Sequence, residues 1–216
     1  MSKVMSLQDA VSVIKDGDTV LIGGFGPKGY PGRLMRALLK DSTAKDLLFA
    51  LNAPEPSYLP ALEKLLQTRS RGLIATYVRG SKGAEKMYKE NKLELVPQGT
   101  FAERLRAGGV GIPAFYTPVG IGTMVEEGKP TLEIDGRTYL MEKAIKGDVA
   151  IVRANKVDLD GNCYLRACEK TFGALMPAAA KYAIVEAEEL VQVGEIDPEL
   201  VTIPGVLIDA IVKVGG

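Results

Sequence analysis

Asp18–Lys40, DTVLIGGFGPKGYPGRLMRALLK, runs from an apolar stretch through a glycine-rich turn into a segment with helical periodicity. Thr19 to Ile22 reads as a short buried strand. Pro31 suits the first turn of a helix, where its missing N–H costs nothing. Leu34, Met35, Leu38 and Leu39 then recur at the spacing of a buried helix face. Within the turn, Gly24-Phe25-Gly26-Pro27-Lys28-Gly29 fits G-x-G-x-x-G, the pattern of dinucleotide-binding loops. Two features argue against that use. Pro27 removes a backbone amide from the loop, and such sites depend on free amides. The next strand ends in Leu51-Asn52-Ala53, with no acidic side chain at its tip to hold a ribose hydroxyl. A plainer reading stays open: Gly23, Gly24 and Gly26 only permit a tight strand-to-helix turn.

Working outward, Ser6 or Ser2 caps a first helix whose buried face is Leu7, Ala10, Val11, Val13 and Ile14, with Gly17 as its stop. Downstream, the spacing predicts strands at Asp46–Leu51, Gly72–Tyr77 and Leu93–Val96. Helices are predicted at Tyr58–Thr68, Lys82–Asn91 and Phe101–Ala107, the last stopped by Gly108-Gly109. Short apolar strands alternating with helices indicate a parallel sheet covered by helices. The order changes after Gly108, where AGGVGIPAFYTPVGIGTMVEEGKP is too rich in glycine and proline for one helix. Asp135-Gly136 between two short apolar runs is a hairpin signal. Asp148–Arg153 and Tyr182–Glu186 return to buried strands, with a turn at Asp160-Gly161. With no repeat, low-complexity tract or linker, residues 1–216 are expected to form a single α/β domain. It is an open, mainly parallel sheet with an irregular Gly/Pro-rich segment and a hairpin.

Composition narrows the chemistry. Lys+Arg and Asp+Glu are both 27, so no net positive charge collects nucleic acid. MSKVMSLQDAVSVIKDGDTV contains no long apolar run, so a cytoplasmic protein without signal peptide or membrane span is expected. Histidine is absent, which excludes Ser-His-Asp and Cys-His hydrolysis and His-ligated zinc from this chain. Cys163 and Cys168 have no further ligand nearby and read as buried thiols rather than a metal site. Met35, Met87, Met124, Met141 and Met176 share no spacing and read as core or interface filler.

Three strand ends carry glycine or carboxamide groups: Gly23-Gly24-Phe25-Gly26, Asn52, and Gln98-Gly99-Thr100. In an open parallel sheet, the carboxyl ends of the strands line the ligand crevice. Uncharged amide donors without a base suit a carbonyl or carboxylate and an oxyanion formed from it. Lys28 and Arg33 either attract an anionic substrate or solvate the helix start. Glu126-Glu127 reads as a loop that positions subunits, since adjacent carboxylates without an acid–base partner have no defined task.

GGFGPKGYPGRLMRAL, VPQGTFAERLRAGGVGIPAFYTP, VGIGTMVEEGK, DGNCYLRA and EAEELV together resemble the A (alpha) subunit of class I coenzyme A transferases of the acetate/acetoacetate and 3-oxoacid type. The resemblance runs over nearly the whole chain. It implies a fold similar to sugar-phosphate isomerase-like α/β proteins. It also implies an enzyme moving coenzyme A between an acyl-CoA and a short-chain carboxylate or 3-oxoacid. The nucleophilic glutamate would be held by a B (beta) subunit; Glu90-Asn91-Lys92 lacks that motif's glycine and is not assigned. Coenzyme A thioesters would be substrates, with no permanently bound cofactor and no metal. By the same resemblance Gln98 is the active-site glutamine, an oxyanion-type donor. Gly23, Gly24, Phe25, Gly26, Lys28, Gly29, Asn52 and Gly99 lie beside substrate. Gly108, Gly109, Pro113, Phe115 and Tyr116 form a wall near the subunit junction. Leu51 stands where the family has asparagine, and Pro54 where a small residue is commoner, which implies a less polar pocket. A sugar-phosphate isomerase-like enzyme and a metabolite-binding regulatory module of the same fold are the alternatives.

Overall fold

The computed structural model describes residues 2–214. Helix α1 (Leu7–Ser12) begins at Ser6, whose hydroxyl accepts the Asp9 N–H, a cap worth about 1 kcal/mol. Gly17 does not stop it: the helix ends at Ser12, and Gly17, at φ +82°, serves the reversal into β1. Strands β1 (Thr19–Ile22), β2 (Leu47–Leu51), β3 (Ser70–Ala75) and β4 (Leu93–Leu95) then alternate with helices α2 (Gly32–Asp41), α3 (Pro60–Thr68), α4 (Lys82–Lys89) and α5 (Gln98–Gly109). The predicted elements are present with ends shifted by a few residues, except at α5.

There Gln98 to Thr100 already belong to the helix, and Gly108 and Gly109 lie inside its last turn instead of stopping it. A side chain at Gly108 would bring its Cβ to 2.1 Å from the Ile145 carbonyl oxygen. Glycine is there because another stretch of backbone passes close by, a tertiary demand that local sequence cannot display.

The Gly/Pro-rich segment contains strand β5 (Ala114–Thr117). It pairs with the predicted hairpin, β6 (Thr131–Ile134) and β7 (Arg137–Lys143), in an antiparallel sheet of order β5-β7-β6. Arg104 of α5 holds this small sheet to the body, its Nε donating to the Lys143 carbonyl at 2.7 Å. Its guanidinium also meets Glu94 at 2.5 Å and Glu142 at 3.8 Å, and Lys129 reaches Glu142 at 2.6 Å.

The chain then returns to the main sheet with β8 (Gly147–Asp158), β9 (Cys163–Tyr164), β10 (Ala180–Val191) and β11 (Ala210–Lys213). The order is β11-β10-β8-β1-β2-β3-β4, parallel throughout, with β9 antiparallel on β8. Sequence patterning did not reveal β9 or β11, nor that β8 and β10 run for 12 residues each. The amino-terminal segment closes against the far edge: Ile211 N–H donates to the Lys3 carbonyl at 2.8 Å and Met5 N–H to the Ile211 carbonyl at 3.0 Å.

Alternate side chains face opposite layers. Val20, Ile22, Phe49, Leu51, Ile151 and Ile184 pack under helices α1 to α4. Leu21, Ala50, Ala150, Val152 and Val185 meet Phe101 and Leu105 of α5 together with Phe172 and Met176. Phe101 sets its edge on the Phe172 ring, centroids 5.2 Å apart. With both faces covered, the central strands are apolar throughout, as parallel sheets require. After β4 the chain crosses back to the other side of β1. The topological switch therefore lies at β1, between β8 and β2, and a crevice opens at the carboxyl ends of these strands.

Candidate functional site

β1 runs out into Gly23, whose N–H still reaches the Ile151 carbonyl at 3.0 Å; the loop then turns on reciprocal bonds between Phe25 and Lys28 (2.9 and 3.2 Å). Gly24 (φ +126°), Gly26 (φ +56°) and Gly29 (φ +75°) adopt conformations that L side chains avoid. Gly24 carries the hardest constraint, since the Tyr30 ring lies against it and a Cβ there would sit 2.3 Å from Tyr30 Cδ1. The amides of Gly24 and Gly26 find no acceptor among the described residues.

β2 ends directly in Asn52, which is only 5% exposed. Gln98 opens α5 after Pro97 and reaches across the sheet, its Nε2 donating to Asn52 Oδ1 at 2.8 Å. Thr76, just past β3, donates its hydroxyl to the same oxygen at 2.8 Å. Phe25, Gly26, Asn52, Thr76, Tyr77 and Gln98 line one cavity of about 420 Å³. Residues from three separate strand ends thus share one space, which Gly23, Gly24 and Thr100 do not line. Glu55 and Tyr58 border the same space. Tyr30 braces it from behind: its hydroxyl donates to the Ala53 carbonyl at 3.3 Å, and burial pushes that hydroxyl up to about 12. A larger groove of about 570 Å³ between α4 and the β4 edge contains none of these amides. Chemistry, not size, singles out the first.

The other predicted residues fall elsewhere. Leu51 is fully buried in the helix-covered core, and neither it nor Pro54 lines the cavity. Gly99 is exposed on the first turn of α5. Gly108 and Gly109 pack on Ile145 and Ala178 at the opposite end of α5, and Pro113, Phe115 and Tyr116 lead into or form β5 of the small sheet. Lys28 lines a separate cavity of about 280 Å³ on the far side of the glycine loop, with Arg153, Asn155, Arg166 and Glu188. Gly29 borders a third space, beside Arg33, Arg153 and Glu186.

The residues around Lys28 and Gly29 form a polar cluster that the motifs, which include Glu186, Glu188 and Arg166 but not Arg153 and Asn155, did not reveal as one group. Arg153 pairs with Glu188, and Asn155 Nδ2 donates to Glu188 at 3.0 Å while its Oδ1 accepts the Arg166 N–H at 2.7 Å. Glu186 takes the N–H groups of Arg33 and Leu34 at 2.8 and 2.9 Å, capping α2 from another strand. Burial raises its carboxyl above the ordinary range, opposed by those two hydrogen bonds and by Arg153 and Arg36. The available signal was alternation: Glu186 and Glu188 continue the face begun by Ile184, as Arg153 and Asn155 continue that of Ile151. Among the described residues no group of acidic, cysteine or histidine side chains is placed to hold a metal, and no helix is long and apolar enough to cross a membrane.

Comparison with known proteins supplies the family. The sequence profile described as coenzyme A transferase matches residues 4–214. The chain is 42% identical over 215 residues to the A-type polypeptide of a probable succinyl-CoA:3-ketoacid coenzyme A transferase of Bacillus subtilis, covering 98% of this chain and 90% of that protein. It is 38% identical over 213 residues to the alpha polypeptide of the acetate CoA-transferase of Escherichia coli, covering 98% and 96%. Among solved structures, the glutaconate coenzyme A-transferase of Acidaminococcus fermentans superimposes with TM-score 0.84 at 23% identity, over 98% of this chain and 75% of that one. An acyl-CoA transferase from E. coli O157:H7, solved as a thioester complex with CoA, gives TM-score 0.86 at 23% identity, and this chain spans 47% of its length. These relatives do not favour the isomerase-like alternative. Motif series, doubly covered parallel sheet and relatives agree: the chain belongs to the coenzyme A transferase family, in which it is of the A (alpha) type.

Proposed function

We propose that this chain forms one wall of an active site that moves coenzyme A between an acyl-CoA and a short-chain carboxylate or 3-oxoacid, with a B (beta) subunit supplying the glutamate nucleophile. The observation that carries the reading is the Gln98–Asn52 amide pair, which shares one cavity with Gly26 of the glycine loop, whose amide is unpaired.

The chemistry suits a chain without histidine. The glutamate oxygen attacks the thioester carbonyl, the C–S bond breaks and CoA leaves as thiolate, giving an acyl-glutamyl anhydride. The thiolate then attacks the glutamyl carbonyl and expels the first carboxylate, leaving a glutamyl-CoA thioester. A second carboxylate reverses the sequence. The carboxylates are anions near neutral pH, and CoA leaves as thiolate and attacks again before taking a proton, so no general base is required. What each step does need is stabilisation of a tetrahedral oxyanion, the task of preorganised N–H donors. Gln98 and the Gly26 amide are the donors on this side. Lys28, beside the loop, is the candidate for an anionic part of the substrate. Val110, Ile112 and Tyr116, exposed at 63, 39 and 42%, give the small-sheet region an apolar surface for the partner.

Glu55 brings a carboxylate of this chain to the same cavity and defines the competing reading, an intrachain nucleophile. Acyl-CoA/carboxylate exchange by this chain alone and with its beta-type partner separates the two, with borohydride reduction of the thioester locating the glutamate. Exchange only by the pair, with the reduced residue on the partner, is expected; turnover by a monodisperse preparation of this chain overturns the proposal. In the assembled enzyme Gln98→Ala lowers kcat on the order of 10²-fold if Gln98 is an oxyanion donor. A change confined to KM makes it a ground-state binding group.

A further inference from the structure

We infer that Thr76 is a positioning residue which fixes the orientation of the Asn52 amide and through it the face that Gln98 presents to the reacting carbonyl. The inference rests on the function proposed above and extends it to a residue outside the glycine and glutamine motifs.

A carboxamide can be turned end for end with little change in shape, so its neighbours decide which end points where. For Asn52 that neighbour is Thr76, whose hydroxyl lies 3.0 Å from the Asn52 main-chain oxygen and 2.8 Å from Oδ1. The main-chain oxygen already takes the N–H groups of Thr76 and Tyr77 at 3.0 and 3.2 Å. Its two lone pairs are engaged, so the hydroxyl proton belongs on Oδ1.

With Oδ1 held toward Thr76, Gln98 meets an acceptor and must turn its own NH₂ to it, at 2.8 Å. One N–H of Gln98 is then spent on Asn52, and the other N–H and Oε1 remain for the cavity. Losing the Thr76 proton frees Asn52 to reverse, and Gln98 reverses with it. Thr76 acts through Gln98, so its effect must vanish when Gln98 is gone.

The test is a double-mutant cycle on the assembled two-subunit enzyme. Thr76→Val keeps the shape and removes the donor. It is expected to lower kcat about 5- to 10-fold, the worth of one net hydrogen bond, with KM within about twofold. Thr76→Ser restores kcat to within about twofold of the parent. In the Gln98→Ala background, Thr76→Val changes kcat by less than about twofold. Should Thr76→Val fail to assemble, Thr76→Ala gives the same contrast with Thr76→Ser. Equal losses in both backgrounds, or a change in KM alone, overturns the inference, since either means that Thr76 acts independently of Gln98. An inactive parent pair instead refutes the transferase reading itself, so the two failures are distinguishable.

Discussion

Replacing Gly24 by alanine tests the claim that the glycine loop is shaped by Tyr30. The added Cβ would lie 2.3, 2.6 and 2.7 Å from Cδ1, Cε1 and Cγ of the ring, at a backbone φ of +126°. Tyr30 cannot swing aside cheaply: it is 6% exposed and its hydroxyl is tied to the Ala53 carbonyl. Overpacking a fixed core costs about 1–3 kcal/mol, and a side chain in a sparsely populated backbone region costs a further 1–3 or so. Taking about 4 kcal/mol, a domain of this size loses roughly 8–16 °C in Tm. Gly26→Ala is the matched control, at φ +56° with nothing within 4 Å of the new Cβ. Only the left-handed conformation is penalised there, at about 1–2 kcal/mol, or roughly 2–8 °C. Thermal melts of both variants, followed by far-UV dichroism, read the difference. Equal shifts, or a larger one for Gly26→Ala, would refute the argument from the Tyr30 contact.

Glu186→Ala removes the acceptor for the Arg33 and Leu34 N–H groups. Each orphaned donor costs about 1–3 kcal/mol, so Tm should fall by roughly 4 °C or more; an unchanged melt would mean that α2 finds its cap elsewhere. Burial raises the Glu186 carboxyl in the folded state above its ordinary 4.5. The folded form therefore prefers the proton, and the group's contribution to stability declines as pH rises from 4.5 through the raised value. The Tm difference between parent and Glu186→Gln should fall with pH across that window and level off above it; a difference rising with pH contradicts the assignment. Of the two thiols, Cys163 is buried, and burial pushes it up to about 12, while Cys168 is half-buried. Iodoacetamide on the native chain at pH near 8 should label Cys168 first and Cys163 only on unfolding, which peptide mass spectrometry checks; early labelling of Cys163 would refute its burial.

Much of this architecture could be read from residues alone, for identifiable reasons. Central strands covered on both faces leave uninterrupted apolar runs such as Thr19–Ile22 and Leu47–Leu51, and their ends announce themselves by an abrupt change of character. Asn52 and Gln98 stood out because carboxamides at such ends have no packing purpose. Gly108 and Gly109 misled because a glycine pair looks the same whether it stops a helix or lets another backbone approach it. Glu186 and Arg153 were hidden in strands, since a buried charge becomes intelligible only with its partners. Those partners lie on α2 and β10, far away in sequence. β11 is short and follows turns, leaving too few residues for periodicity to act on.

The order of strands also governs how the chain can be made. β1 is flanked by β2, which emerges soon after it, and by β8, whose Val149 pairs with Val20 across about 130 residues. At a ribosomal rate of about 5–20 residues per second, one edge of β1 waits roughly 6–26 s for its neighbour. The residues from Lys3 to Met5 wait longer still, since Ile211 follows Lys3 by 208 residues. A nascent chain thus carries a half-unpaired apolar strand until β8 has been made, inviting holdase chaperones or aggregation. Expression yield should respond to translation speed and growth temperature more than native stability would suggest.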